Sequence, residues 1–401
     1  MTADTIAGLQ PFARLQPQML ETIAEHSRLV ERPAGPWKPD ADEGEARWYL
    51  LRGELAIERD GRLRYRLRAE DPAAAFPLPL APGDGYRLHE PGRLLRVPAR
   101  YLNLVEAQRG EDAAAIQLHE DDDEAALYIR FREELAQGRF ALPAMPDLAI
   151  RIGKALDDPH TLNEDIARLI QLDPALSARV MRVVNSAAFA GGVPAGSLHQ
   201  AVSRLGRQQV RNLVFSCIIK DLFRTGSPVL RARLDALWEH SRRVAAISAL
   251  LARFTPGLDA DRGLLAGLVH DIGAIPLLHA ARDMPELIAA PAVLDRLVAE
   301  MKGEIGRMTL RHWRFDDELA ELAHQAEHWH RLGSCVPDYL DVVLVAQLHA
   351  EVGRGTGIRL PAIDAIPAFR KLALGRLTPR ASIAVLEESA REIAEIEELL
   401  D

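Results

Sequence analysis

Three histidines lie close together in the last third of the sequence, at His324, His328 and His330. His324 and His328 stand one helical turn apart, so two imidazoles on one helix face could chelate a metal ion. The His-Glu-x-x-His pattern is absent, and the nearby Trp313 and Trp329 indicate a packed, partly polar helix face. We therefore predict that these histidines lie at the surface or serve packing.

Motifs for nucleophilic catalysis or phosphate binding are missing. Ser186 follows Asn185, but no His-Asp partner for a catalytic serine is evident, and Gly-x-Ser-x-Gly does not occur. The glycine-rich phosphate loop that ends in Lys-Ser or Lys-Thr is also absent. Gly191 and Gly192 are therefore interpreted as a loop hinge, and Asn185 and Ser186 as side chains that bond to local backbone and end a helix.

The segment before this loop is predicted to be a helix with a marked start. Asp173 is the N-cap candidate, and Pro174 occupies the first helical position, where a missing N–H costs nothing. Four apolar residues recur at helical spacing and form one stripe, namely Leu176, Val180, Val183 and Val184. The stripe predicts that this helix packs against a core.

The composition is that of a globular chain. It has 401 residues, 48% hydrophobic residues and a formal net charge of −9, which argues against broad nucleic-acid binding. The cysteines, Cys217 and Cys335, are predicted to be free thiols in a reducing compartment. No signal peptide or uninterrupted apolar stretch of about 20 residues is visible, so we expect a cytoplasmic protein without membrane contact.

The chain divides into two parts that differ in composition and in predicted secondary structure. Residues 1–107 combine helical ends with short strands and turns, including the hairpin signal Asp60-Gly61 and an alternating run over residues 62–68, and they predict a small β-barrel or sandwich with flanking helices. Residues 108–138, with an acidic run at 120–124, are predicted to be a linker helix. Residues 139–401 are predicted to be all-helical up to a C-terminal helix, with separate helices at 284–300 and 303–313.

Five sequence blocks in the helical part resemble motifs of a known family. They are residues 142–146 (Leu-Pro-Ala-Met-Pro), 172–176 (Leu-Asp-Pro-Ala-Leu), 185–189 (Asn-Ser-Ala-Ala-Phe), 201–206 (Ala-Val-Ser-Arg-Leu-Gly) and 268–273 (Leu-Val-His-Asp-Ile-Gly). In this order they resemble the HDOD domain of bacterial signalling proteins, which is similar to the HD metal-dependent phosphohydrolases. Residues 1 to about 105 resemble a cyclic-nucleotide-binding β-barrel, through a predicted helix that ends before Pro33-Ala34-Gly35 and the run over residues 48–55.

The resemblance implies where a metal would be held. His240 matches the first histidine of the HD enzymes, and His270 and Asp271 match their His-Asp doublet. The distant aspartate of those enzymes aligns with Gln347, whose neutral amide is a much poorer metal ligand, and Asp341 lies nearly two helical turns earlier. His240, His270 and Asp271 are therefore candidate ligands of a vestigial site, and no cofactor is expected.

The resemblance also implies a role. We predict a non-catalytic signalling protein that acts through contacts with other signalling proteins, as a scaffold or output module. One alternative is a metal-dependent phosphohydrolase acting on a nucleotide second messenger. Another is a cyclic-nucleotide sensor, but residues 76–93 contain several prolines without N–H donors and lack the Gly-Glu pair that such sensors use on the ribose. A bound nucleotide is therefore not expected.

Overall fold

The computed structural model describes residues 2–39, 46–80, 83–102, 129–130, 133, 142, 145, 147–185, 194–223, 225–282, 284–351, 360–372 and 389–400. Nearly all of the predicted linker helix at 108–138 lies outside these residues, as do Ser186 and the predicted hinge at Gly191 and Gly192. The predicted boundaries of the two parts therefore stay predictions.

The described residues of the N-terminal part include two helices near its start and seven short strands. The helices are α1 (Ala3–Ala7) and α2 (Pro17–His26). The strands are β1 (Arg28–Arg32), β2 (Gly35–Trp37), β3 (Ala46–Arg52), β4 (Glu54–Arg59), β5 (Arg62–Arg68), β6 (Asp84–Leu88) and β7 (Gly92–Pro98).

Of the two predicted forms, barrel or sandwich, the closed β-barrel is wrong. The described strands form two open antiparallel sheets, with strand orders β1-β7-β3 and β2-β6-β4-β5. A barrel needs hydrogen-bonded strands all the way round. Here the consecutive strands β3 and β4 belong to different sheets, because Gly53 between them has φ +98° and turns the chain out of the first sheet.

Alternation along the strands gives the first sheet two buried faces. Trp48 and Leu94 face the second sheet and pack with its Leu55 and Ile57. On the opposite face, Tyr49, Leu95 and Val97 pack with residues of α1 and α2. The predicted Asp60-Gly61 hairpin is confirmed, because both residues have positive φ and join β4 to β5.

The helical part contains fourteen α-helices within the described residues. They are α3 (Asp147–Asp157), α4 (Asn163–Gln171), α5 (Pro174–Asn185), α6 (Leu198–Leu205), α7 (Arg207–Ile219), α8 (Pro228–Phe254), α9 (Ala260–Val269), α10 (Ala274–Ala281), α11 (Pro285–Ala289), α12 (Pro291–His312), α13 (Asp317–Gln325), α14 (Tyr339–Glu351), α15 (Pro367–Lys371) and α16 (Ala390–Leu400).

The predicted helix after Asp173 is confirmed as α5. Asp173 Oδ1 accepts hydrogen bonds from the N–H groups of Ala175 and Leu176 at 2.8 and 3.1 Å, which is N-cap geometry. The four residues of the predicted stripe are all buried. At the other end, the Asn185 side chain bonds the backbone N–H and C=O of Ala195 at 2.7 and 3.0 Å.

The prediction of two helices at 284–300 and 303–313 is wrong. α12 runs without a break through Gly303 and Gly306. A Cβ at Gly303 would lie 2.8 Å from the carbonyl oxygen of His324, so this glycine serves the close approach of α13 rather than a helix end.

Among the residues that the structure describes, one segment is long and apolar enough to pass a compositional test for a membrane span, Ala260–Ala281, with mean hydropathy 1.5. Of its most apolar stretch, 89% is buried inside the protein. This segment is α9, α10 and the turn between them, and it forms the centre of the helical core. Both cysteines are buried and free, as predicted.

Candidate metal centre

The three predicted ligands come together in the centre of the helical part. His240 projects from α8, and His270 and Asp271 form the turn that follows α9. One ligand atom from each lies within 4.8 Å of the others, and the two imidazole centroids are 5.2 Å apart. Within the described residues, no other group of three or more His, Cys, Asp or Glu side chains meets this condition.

Small residues on α9 make this arrangement possible. A Cβ at Gly267 would lie 2.6 Å from Ala245 Cα, and one at Gly263 would lie 2.7 Å from Ala252 Cβ. The backbones of α8 and α9 therefore pack closer than larger side chains would allow. This close contact carries His240 of α8 to the turn that holds His270.

His270 presents a free lone pair to the centre of the cluster. Its side chain is fully buried, and its Nδ1 lies 2.7 Å from the carbonyl oxygen of Gly267, so Nδ1 carries the proton. Burial lowers the pKa of His270 to about 4, although Asp271 acts in the opposite direction. The ring is therefore neutral near pH 7, and its Nε2, 3.4 Å from Asp271 Oδ2, is buried with no hydrogen-bond donor among the described residues.

A lysine that the sequence analysis missed supplies positive charge to this cluster. Lys302 Nζ lies 2.8 Å from Asp271 Oδ1 and 2.6 Å from Glu327 Oε1. Burial acts to lower the pKa of Lys302, but Asp271 and Glu327 outweigh it and the pKa is raised, so the ammonium form is held. Burial acts to raise the pKa of Asp271, but His270 and Lys302 outweigh it and the pKa is lowered.

Lys302 lies beside Asp271 because the turn that follows α9 packs closely against α12. Gly273, two residues after Asp271, packs against the α12 backbone at Lys302 and Gly306, and a Cβ there would overlap the carbonyl oxygen of Lys302. Only glycine permits this approach. The doublet and Lys302 therefore meet because of a residue that the sequence analysis treated only as part of a motif.

A second residue that sequence reasoning missed is Glu351, the last residue of α14. Its Oε1 lies 3.1 Å from His240 Nδ1, and its Oε2 is buried without a hydrogen-bond donor among the described residues. Gln347, where the distant aspartate was expected, instead donates to the carbonyl oxygen of Ala326 at 2.7 Å. Glu351 follows Gln347 by one helical turn, so both lie on one face, and that spacing was the signal that could have found it.

The donor set fits a divalent metal in type but not in charge balance. Two imidazoles and a carboxylate within 4.8 Å are ligands of the right kind, with Glu351 beside His240. The Lys302 ammonium, however, already neutralises Asp271 at ion-pair distance. A metal at Asp271 would meet this charge in a buried site, so the residues do not fit a metal while Lys302 stays in place.

His324 and His328, at the end of α13 and just beyond it, do not belong to the group of ligand atoms at His240, His270 and Asp271. His324 Nδ1 is 3.6 Å from Glu304 Oε2, and the rings of His324 and His328 stack edge-on at 6.0 Å. Burial and the neighbouring His324 lower the pKa of His328. This geometry supports the predicted packing role.

Comparisons with known proteins find a matching domain family and similar proteins. Residues 142–329 match the HDOD domain family. A crystal structure titled "Putative metal-dependent phosphohydrolase" from Shewanella amazonensis aligns with 70% of this chain and 100% of its own, at 28% identity and a TM-score of 0.58.

Two curated relatives match over shorter stretches. An uncharacterized protein of Treponema pallidum is 26% identical over 195 residues, which is 44% of this chain and 36% of the relative. The 3'3'-cGAMP-specific phosphodiesterase 3 of Vibrio cholerae is 31% identical over 129 residues, which is 31% of this chain and 28% of the relative. The aligned stretches thus span well under half of each relative's length.

Proposed function

From the premise that residues 142–329 are an HDOD domain, we propose that this chain is a non-catalytic signal-transduction protein. Its helical part acts as a scaffold or output module that contacts other signalling proteins. It works in the cytoplasm, without a nucleic-acid or membrane partner and without a resident cofactor.

The main observation that supports this proposal is the ion pair between Lys302 and Asp271. In a metal-dependent hydrolase the carboxylate of the doublet must be available to the metal, which activates water. Here that carboxylate is 7% exposed and paired at 2.8 Å with an ammonium that Glu327 also holds. The positive charge at the centre of the cluster therefore belongs to a side chain that offers no site for an activated water.

A metal-dependent phosphohydrolase is the second candidate. The closeness of His240, His270 and Asp271 favours it, as does the additional carboxylate of Glu351. The two relatives whose names carry a phosphohydrolase or phosphodiesterase activity also favour it. Activity would require Lys302 to leave Asp271.

The two candidates differ in metal content and turnover. The purified full chain is incubated separately with Mn²⁺, Fe²⁺ and Ni²⁺, desalted, and analysed for bound metal. Turnover is then measured with bis(p-nitrophenyl) phosphate and with a panel of cyclic mono- and dinucleotides that includes 3'3'-cGAMP. Substoichiometric metal and the same background rate in wild type and His270→Ala are expected; stoichiometric metal with turnover that His270→Ala abolishes would overturn the proposal.

Nucleotide sensing by the N-terminal part is the remaining alternative. The segment around Phe76 and Leu78, where the phosphate-binding residues of a sensor are expected, packs against Leu332, Cys335 and Val336 of the helical part. This packing favours a structural use of the segment. A thermal shift with millimolar cyclic nucleotides is the test, since a ligand that binds only the native state raises the unfolding temperature.

A further inference from the structure

We infer that the loop Arg331–Asp338 is an intramolecular docking segment that fastens the β-sheet part to α14, and that α14 links this contact to the cluster at His240. This coupling of the two parts does not depend on whether the chain turns over a substrate.

The apolar side of the docking segment completes the core of the β-sheet part. Leu332, Cys335 and Val336 are buried in the same cluster as the strand residues Trp48 and Tyr86. The backbone N–H of Cys335 donates to the carbonyl oxygen of Pro77 at 2.8 Å. The core of the β-sheet part is thus closed by a loop from another part of the chain.

The polar side of the segment is held by a cluster of four charges, of which Lys371 and Asp341 are buried and Arg331 and Asp338 are partly exposed. Lys371 Nζ lies 2.6 Å from Asp341 Oδ1, and both side chains are fully buried. Arg331 is paired with Asp338 at 2.5 Å and with Asp341 at 3.4 Å. Two cations and two anions sum to zero, which is the balance that makes such burial tolerable.

This charge cluster reaches both parts of the molecule. Lys371 Nζ, on α15, lies 5.5 Å from the ring centroid of Phe76, which belongs to the β-sheet part. Gly333 has φ +60°, and a Cβ there would lie 3.0 Å from Lys371 Nζ. The segment therefore makes its tight turn directly on the lysine, and loss of the charge balance would loosen the contact with Phe76 as well.

α14 connects the docking segment to the candidate metal centre. Asp341, in its first turn, belongs to the charge cluster, and Glu351, its last residue, lies beside His240. The two are about 15 Å apart along a helix with a rise of 1.5 Å per residue. Every residue of α14 from Tyr339 to Ala350 is buried. A packed helix of this kind moves as a unit, so a shift of the docking segment displaces Glu351.

Hydrogen–deuterium exchange on the full chain tests this inference. Lys371→Met leaves a net negative charge in the charge cluster. We expect exchange to rise about a hundredfold in residues 76–80 and 331–341, as for an unpaired buried charge, with a smaller rise in residues 345–351. Residues 174–185 of α5, which lie outside the charge cluster, should not change.

Two further variants keep the test decisive if Lys371→Met folds poorly. The double variant Lys371→Met/Asp341→Asn removes one charge of each sign and should return exchange close to the wild-type level. Val336→Ala loosens the apolar side without a charge change and should raise exchange in residues 76–80. Lys154→Met, at an exposed position on α3, is the control.

Two outcomes would overturn the inference. If exchange in residues 76–80 is unchanged in Lys371→Met and in Val336→Ala, the loop does not fasten the β-sheet part. If exchange rises at 76–80 and 331–341 but stays at the wild-type level in residues 345–351, α14 does not link the docking segment to the His240 cluster.

Discussion

Replacing Lys302 by methionine tests whether a side chain supplies the positive charge that the cluster at Asp271 requires. Methionine retains most of the length and apolar volume of lysine but removes the charge. The ion pair at 2.8 Å has a Coulomb energy of about 6 kcal/mol at an effective dielectric constant of about 20. Because desolvation of both groups offsets part of it, we expect the free energy of unfolding to fall by about 3 kcal/mol, the range seen when one partner of a buried pair is removed.

The same substitution should create a metal response. With Lys302 gone, the Asp271 carboxylate and the Nε2 lone pair of neutral His270 face the cluster without a competing cation. A divalent metal that binds only the native state would raise the stability of Lys302→Met by about 2.7 kcal/mol at a concentration 100 times its Kd. Wild type should show no comparable gain.

The assay is urea-induced unfolding of wild type and variants, with and without Mn²⁺ or Ni²⁺, combined with calorimetric titration of the metal. Lys154→Met, an exposed lysine on α3, is the matched control and should behave as wild type in both. The double variant Lys302→Met/Asp271→Asn should regain stability without gaining metal affinity, because the buried position 271 then carries no charge and Glu327, the other partner of Lys302, is 45% exposed and stays solvated.

Two results would refute the reasoning. If Lys302→Met is as stable as Lys154→Met, the ion pair does not stabilise the cluster. If wild type binds metal as tightly as Lys302→Met, Lys302 does not exclude the metal, and the phosphohydrolase becomes the favoured function.

Three more outcomes are expected. Burial lowers the pKa of His270 from 6.5 in the unfolded chain to about 4 in the folded one, so its contribution to stability is fully present above pH 6.5. This contribution, up to about 3 kcal/mol, is lost as the pH falls through 4. The urea midpoint of unfolding, plotted against pH over this range, should therefore change less steeply in His270→Gln than in wild type. Gly273→Ala should unfold at a clearly lower urea concentration than Gly226→Ala. The reason is that a Cβ at Gly273 overlaps the α12 backbone, whereas one at Gly226 meets nothing within 4 Å. Equal urea midpoints would contradict the close packing of Gly273 on α12. Asp173→Ala should lose about 1 kcal/mol of stability through its N-cap bonds, and Asp173→Asn much less; a loss as large in the asparagine variant would exclude capping as the cause.

Local features of the fold could be predicted from the sequence. The N-cap at Asp173 and the turn at Asp60-Gly61 depend on hydrogen bonds and backbone angles within a few residues, so their residue types were sufficient evidence. The buried apolar stripe on α5 could also be predicted from the sequence, because helical periodicity alone decides which side chains share a face. The ordered sequence blocks likewise identified the HDOD domain, which the family match confirms.

Features that depend on how elements pack could not be predicted in this way. Alternation does not say which strands pair, so a barrel and two open sheets look alike in sequence. A new helix was predicted to start at Gly303 because the close approach of α13 cannot be seen along the chain.

The candidate site shows the same division. Residue types and a family resemblance pointed to His240, His270 and Asp271, and the structure brings their ligand atoms together. The partners that determine their charge state, Lys302 and Glu351, come from helices distant in sequence, and only the crossings of α10 with α12 and of α8 with α14 place them there. Residue types and the resemblance indicated which groups could bind a metal. That a lysine neutralises one of them depends on the packing of the helices, because a buried charge is balanced by whatever lies nearest in space.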